Sequence, residues 1–198
     1  MKEEIQLRKL IMSEFVSVDG VMEAPGGEPG YEHSGWVLDF PEDSERGKYK
    51  LDEVLAADAL LLGRVTYEGF AAAWPSRKDK AGFAEKMNSM PKYVVSSTLD
   101  ELAWNNSSLL RGDVAEAVAA LKSQEGGDIL VAGSRTLVQS LHEHHLVDEY
   151  RLMVFPVVLG SGRRLFPDDI AEKALLKLVD SRTFDSGVAV HTYHPVIA

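Results

Sequence analysis

A single-domain α/β fold built on a mixed, mostly parallel sheet is the architecture this 198-residue sequence predicts, and three observations carry it. An apolar run at residues 59–62 ends in Gly63 and passes directly into a helical pattern. The same order of strand, glycine, polar turn and helix returns at residues 128–141. The chain then closes with two β-rich runs joined by Asp185-Ser186-Gly187, a hairpin signal. Strands alternating with helices make a parallel sheet, and a terminal hairpin adds antiparallel strands to it.

In order, residues 9–18 (KLIMSEFVSV) read as the first core strand, closed by the turn pair Asp19-Gly20. Residues 21–35 are rich in Gly, Pro and Glu without periodicity. They end at Trp36, costly to expose, so the stretch reads as a lid over a pocket or as a surface loop. A helix is expected over residues 43–57, capped by Asp43 or Ser44, with Leu51, Val54 and Leu55 inward. The second strand leads into a helix whose buried face is Tyr67, Phe70, Ala71 and Trp74, at i, i+3, i+4 and i+7. A short helix within residues 78–90 would pack Phe83, Met87 and Met90 before Pro91 stops it. Residues 92–98 (KYVVSST) read as a strand whose end turns polar.

Asp113, with Glu116 three residues on, has capping-box spacing and opens a helix with Val114, Ala117, Val118 and Leu121 as its stripe, stopped by Gly126-Gly127. Residues 128–132 are a short buried strand, and Leu137, Val138 and Leu141 are the inner face of the helix after it. Residues 150–159 form a strand up to Phe155-Pro156, and residues 174–184 and 187–194 form the hairpin.

Bulk properties narrow the chemistry. A net charge of −10 argues against nucleic acid or an anionic membrane as the main partner, since both call for a basic face. Nothing approaches the roughly 18 consecutive apolar residues of a membrane span. The charged start, MKEEIQLRKL, lacks a signal-peptide pattern. Zero cysteines exclude disulfides, thiolate metal sites and cysteine nucleophiles, so a cytoplasmic setting is expected.

Two stretches have the makings of an anion seat. Gly63-Arg64-Val65-Thr66 brings backbone N–H groups, a guanidinium and a hydroxyl to the start of a helix, and Gly133-Ser134-Arg135-Thr136 repeats the design. Two such seats at the carboxyl ends of two strands suit a dinucleotide, although G-x-G-x-x-G is absent. Each glycine has a second reading, as the turn that any strand-to-helix junction needs. Ser96, Ser97 and Thr98 are either ligand hydroxyls at a strand end or a turn cap. The loop Gly160-Ser161-Gly162-Arg163-Arg164 either holds an anion or turns the chain. No metal site is expected, because His142, His144 and His145 do not share a helix face and His191 and His194 point to opposite sides of a strand.

Five segments, in this order, resemble the dihydrofolate reductase-like superfamily. They are Ser17-Val18-Asp19-Gly20, the run from Leu62 to Glu68, Val95-Ser96-Ser97, Val131-Ala132-Gly133-Ser134, and the run from Pro156 to Phe166. The nearest likeness is to the reductase domain of the riboflavin-biosynthesis deaminase-reductase and its stand-alone relatives, across nearly the whole chain. The resemblance implies a three-layer fold, a single domain over residues 1–198, a homodimer through the C-terminal strands, and NADPH as hydride donor. It implies an activity like 5-amino-6-(5-phosphoribosylamino)uracil reductase, on a small pyrimidine- or pteridine-like substrate. The alternatives are dihydrofolate reduction and a non-catalytic nucleotide-binding protein on the same scaffold. No zinc deaminase motif accompanies it, because the chain lacks cysteine.

By position, Gly63, Arg64 and Thr66 would hold cofactor phosphates, and Ser96, Ser97 and Thr98 would lie by its adenosine 2′-phosphate. Gly133, Ser134, Arg135 and Thr136 would cradle the pyrophosphate. Val18, Asp19 and Gly20 would border nicotinamide and substrate, and Trp36, Tyr67 and Phe155 would supply pocket walls. Arg163 could bind a substrate phosphate or lie on the solvated surface. The acidic candidates for catalysis are Asp19, which also suits a plain turn, and Asp39, with Glu42 and Asp43 close by in sequence.

Overall fold

A computed structural model describes residues 7–166, 170 and 173–196, so the first six residues of the charged start lie outside the described residues. The strands are β1 (Leu10–Ser17), β2 (Ala59–Gly63), β3 (Lys92–Val95), β4 (Ser107–Leu110), β5 (Ile129–Val131), β6 (Glu149–Phe155), β7 (Leu176–Thr183) and β8 (Ala189–Pro195). The helices are α1 (Ser44–Ala56), α2 (Arg64–Ala73), α3 (Phe83–Ser89), α4 (Val114–Lys122) and α5 (Arg135–Glu143), with a short 3-10 helix at Trp36–Asp39. The sheet order is β4-β3-β2-β5-β1-β6-β8-β7, the mixed, mostly parallel sheet with an antiparallel end that the sequence predicts. The described residues pack as two compact units, residues 7–12 with 50–148 and residues 13–49 with the described residues from 149 to 196.

In the first unit β4-β3-β2-β5 run parallel, and β5 pairs parallel with the start of β1. Parallel strands covered on both faces require apolar runs, and residues 59–62 are buried without a break. Val54, Leu60, Leu62, Tyr67, Met87, Val94, Trp104 and Leu130 share its core, with Phe70, Ala71, Trp74 and Phe83 packed against it. The helix at residues 64–73 therefore buries the expected face. Asp113 caps α4 by accepting the Glu116 N–H at 2.9 Å. Leu137, Val138 and Leu141 are buried beneath α5.

The second unit holds the antiparallel strands β6, β8 and β7. Its core centres on Phe155, met edge-on by Phe15, Trp36 and Phe40 at centroid distances of 5.5, 5.3 and 5.2 Å.

Three expectations change. Leu55 faces solvent at 45% exposure, and the buried α1 residues are Glu53 and Val54. Leu55 sits one helical step beyond Val54, while Glu53 tolerates burial through its ion pair with Lys50. β3 stops at Val95, because the Ser96 hydroxyl accepts the N–H groups of Thr98 (3.2 Å) and Leu99 (3.0 Å) and turns the chain. β4 was not foreseen. Its SSLL sequence has no apolar alternation, and only pairing with β3 makes it a strand.

Candidate functional site

In the first unit the two glycine turns meet. β2 and β5 are neighbours, so α2 and α5 begin side by side. The Gly63 N–H donates to Ser134 Oγ at 2.7 Å across 71 residues of sequence. A Cβ on Gly63 would lie 3.1 Å from Ser134 Oγ, and one on Gly133 would lie 3.0 Å from Thr66 Cγ2. Each turn thus lacks a side chain where the other approaches. Gly133 and Ser134 both adopt the left-handed conformation, with φ of 72° and 70°. For serine this costs about 1–2 kcal/mol, offset in part by its bond to Gly63.

No side chain caps the N-terminus of α2 or α5. The first N–H groups of a helix carry partial positive charge, so two adjacent uncapped starts form a natural receptor for phosphate. Thr66 and Arg135 are half-buried at these starts and Thr136 is exposed.

Beside α2 lies a cavity of about 470 Å³, lined by Arg64, Val95, Ser96, Ser97, Thr98, Leu110, Gly112 and Val114. Arg64 pairs with Glu68 at 2.9 Å, one helical turn away, and both side chains are 46% exposed. An exposed i,i+4 pair is worth only about 0.3–0.5 kcal/mol, so an anionic ligand can draw the guanidinium away at little cost. Ser96 is buried and serves the turn, whereas Ser97 and Thr98 are exposed. Sequence reasoning missed Leu110, Gly112 and Val114. Val114 reads in the sequence only as part of the α4 stripe, and the wall exists because β4 joins the sheet.

In the second unit, residues 17–23 are laced to the loop at residues 159–165. Val21 and Arg164 form an antiparallel bridge. Met22 N–H donates to the Arg163 carbonyl at 3.0 Å, and Leu165 N–H to the Gly20 carbonyl at 2.9 Å. Asp19 accepts from the Ser17 hydroxyl (2.7 Å), Leu159 N–H (3.1 Å) and Gly160 N–H (2.8 Å). Desolvation alone would raise its pKa. The hydrogen bonds from Ser17, Gly160 and Leu159 outweigh it and bring the carboxyl from 3.8 down to about 2. Asp19 is therefore an ionised anchor at neutral pH, with both oxygens occupied. Asp39 ends the 3-10 helix and is exposed.

The three aromatic residues expected as pocket walls belong to the two cores. Trp36 is 2% exposed, with its indole N–H on the Glu23 carbonyl at 2.8 Å, and Phe155 is its edge-on partner. Tyr67 is 3% exposed, and its hydroxyl accepts the Trp104 N–H at 2.9 Å. Aromatic residues gain most from burial, which is why they leave the wall for the core. Arg163, the expected substrate-binding cation, is exposed, its Nε 3.3 Å from Glu23 Oε1. Val18 is 61% exposed just after β1, and Gly20 takes a φ of 81° in the same turn.

Among the described residues, no cluster of His, Asp and Glu could hold a metal ion. His191 bonds Ser181 and His194 bonds Glu149. No helix is long and apolar enough to cross a membrane among the described residues.

The chain is 32% identical over 197 residues to the uncharacterized protein YyaP of Bacillus subtilis (strain 168), covering 98% of each. Among solved structures, its fold is similar to that of a putative riboflavin biosynthesis protein from Shewanella sp. PV-4. That likeness has a TM-score of 0.74 at 21% identity, over 96% of this chain and 99% of the other. It is also similar to a diaminohydroxyphosphoribosylaminopyrimidine deaminase/5-amino-6-(5-phosphoribosylamino)uracil reductase from Thermotoga maritima. There the TM-score is 0.65 at 15% identity, over 96% of this chain and 57% of the other. The profile of the RibD C-terminal domain matches residues 8–190, and the chain belongs to that family.

Proposed function

We propose that this protein is an NADPH-dependent reductase of a small pyrimidine- or pteridine-like molecule. The observation that carries the reading is the pair of uncapped helix starts, locked together through Gly63 and Ser134, beside a cavity holding Arg64 and two exposed hydroxyls. These groups fit a dinucleotide phosphate chain. Thr66 and the residues from Gly133 to Thr136 would receive the pyrophosphate, with the Gly63 N–H holding Ser134 in the turn. Arg64, Ser97 and Thr98 would receive the 2′-phosphate, with Ser96 holding their turn. Membership of a reductase-domain family supports an oxidoreductase.

NADPH, when bound, supplies hydride to the carbon of a C=N or C=O bond, and the adjoining heteroatom takes a proton. Val18 and Gly20 border the reacting ring in this reading, and Arg163 borders the substrate. Asp19 fixes the loop as an ionised carboxylate rather than donating the proton, since at neutral pH it carries none to give. Asp39, exposed at the helix end, is the remaining acidic candidate, and otherwise the proton comes from water. The edge strand β7 exposes Leu178 and Val179, which supports a homodimer.

The test is a fluorescence titration with NADPH and, separately, NADH, followed by a screen of pyrimidine and pteridine compounds for NADPH oxidation. Tighter binding of NADPH that weakens in Arg64→Ala, together with substrate-dependent oxidation, is the expected result. Binding without turnover of any compound would mark a nucleotide-binding protein, and failure to bind either cofactor would end the reading.

A further inference from the structure

The glycine loop of the second unit does hold anions, and both belong to the chain. Leu159 and Gly160 N–H groups are taken by the Asp19 carboxylate. The Arg163 N–H donates to Glu23 Oε2 at 2.8 Å while its guanidinium Nε lies 3.3 Å from Oε1 of the same carboxylate. Arg164 Nε donates to the Asp19 carbonyl at 3.1 Å. A backbone N–H and a guanidinium gripping two oxygens of one group is the arrangement that recognises a phosphate. Here Glu23 fills it.

We infer that Glu23 is a specificity-determining residue that keeps phosphorylated molecules off this loop, so that the substrate is an uncharged heterocycle without a phosphate. The inference rests on the reductase reading, in which Arg163 borders the substrate. It separates this chain from the Thermotoga maritima protein, whose named substrate carries a phosphoribosyl group.

Glu23 is held in position rather than resting there. Its carbonyl accepts the buried Trp36 indole N–H, and Val21 and Met22 before it are buried and bonded into the loop. Its side chain is 23% exposed, against 68% for Arg163. The loop cannot easily open to make room, because Gly162 at φ 102° lies so near Tyr31 that a Cβ would stand 2.7 Å from the hydroxyl, and that hydroxyl donates to the Ser161 carbonyl at 2.8 Å. An arriving phosphate would have to displace one carboxylate and remain beside a second, Asp19, which stays ionised far below neutral pH. Beside Asp19 the chain presents apolar surface instead, with Val18 61% exposed and bonded to the Val157 carbonyl, and Val158 70% exposed. Apolar contacts flanking a neutralised loop suit the face of an uncharged ring.

The experiment is calorimetric titration of the full-length protein, with excess NADP⁺ present, using ribose 5-phosphate and uracil as probes. The wild type is expected to give saturable heat with uracil and none with ribose 5-phosphate. Glu23→Gln is expected to give saturable heat with ribose 5-phosphate, at an affinity about tenfold or more above the limit set by the silent wild type, equivalent to roughly 1.4 kcal/mol. Glu23→Gln combined with Arg163→Ala is expected to lose that gain. Wild-type binding of ribose 5-phosphate that weakens in Arg163→Ala overturns the inference, as does a Glu23→Gln protein of unchanged melting temperature that gains nothing. NADPH titration of the same samples reads the reductase proposal separately. If the cofactor fails to bind, that proposal falls, while the gain or its absence in Glu23→Gln still reports what Glu23 does to Arg163.

Discussion

Replacing Asp19 with Asn tests whether this carboxylate is an anchor or a proton donor. Oδ1 accepts from the Ser17 hydroxyl and Leu159 N–H, and Oδ2 accepts from Gly160 N–H. An amide offers one acceptor oxygen, so in either orientation at least one donor meets an NH₂ group. Losing a charge-assisted bond of this kind costs about 1.5–3 kcal/mol when buried. The depressed pKa expresses the same hydrogen bonds in a second way. A fall from 3.8 to about 2 is worth roughly 2.4 kcal/mol at full value, and about 1 kcal/mol once screening of this partly exposed group is allowed for. The folded pKa is depressed, so this stability is present above pH 3.8 and is lost as pH falls through 2. Urea unfolding should therefore show Asp19→Asn less stable than wild type by about 1–2 kcal/mol at pH 7, with the gap narrowing below pH 3.8. If a substrate is found, kcat should fall by no more than about tenfold, well short of the 10²–10⁴ that an acid in the reaction supplies. A variant as stable as wild type at pH 7, or one folded but without turnover, would refute the anchor argument.

Arg64→Ala should weaken NADPH binding by roughly tenfold or more, and NADH binding less, while leaving stability within about 0.5 kcal/mol, as titration and thermal melts would show. Gly162→Ala should destabilise by about 1–3 kcal/mol in urea, because its Cβ would fall within 2.9 Å of Tyr31 and Val21 at a left-handed φ. Gly20→Ala, at φ 81° with open space around it, should cost only about 1 kcal/mol in the same assay. Burial lowers Lys92 from 10.5 to about 8, so between those values the unfolded chain binds the extra proton and stability should rise with pH, by up to roughly 3 kcal/mol. Lys92→Met should flatten that rise in urea unfolding at pH 7.5 to 9.5, and should lose stability at pH 7 because the carbonyls of Asn88, Met90 and Asn105 lose their donor.

The strands and helices with apolar periodicity were legible because burial dictated them. Residues 59–62 and the stripe Leu137, Val138, Leu141 have no other use for so many hydrocarbon side chains. Legibility failed where a partner distant in sequence decides the outcome. β4 is a strand because β3 lies beside it. At the site, the types of residue were visible but their employment was not. Trp36, Tyr67 and Phe155 were recognised as important aromatics, and core packing claimed them. Lys92 gave no signal that its ammonium would be buried against the face of Trp104, 4.3 Å from the ring centre, among three carbonyls.

The three glycine turns show how far such signals reach. At residues 63–66, 133–136 and 160–164 the sequence offers the same ingredients, a glycine with basic and hydroxyl residues after a strand. In the first two, each turn supplies the other with a hydroxyl or a methyl that locks them together, and the helix starts beyond them have no side-chain cap from their own N-cap residue. In the third, carboxylates about 140 positions earlier in the sequence accept the N–H groups. On a chain of charge −10 the distinction decides function, since an anion is held only where local donors outweigh a repulsive field. Donors already given to Asp19 and Glu23 cannot do so. In the proposed reading, anion binding therefore belongs to the paired helix starts and the Arg64 cavity, and a neutral ligand to the glycine loop.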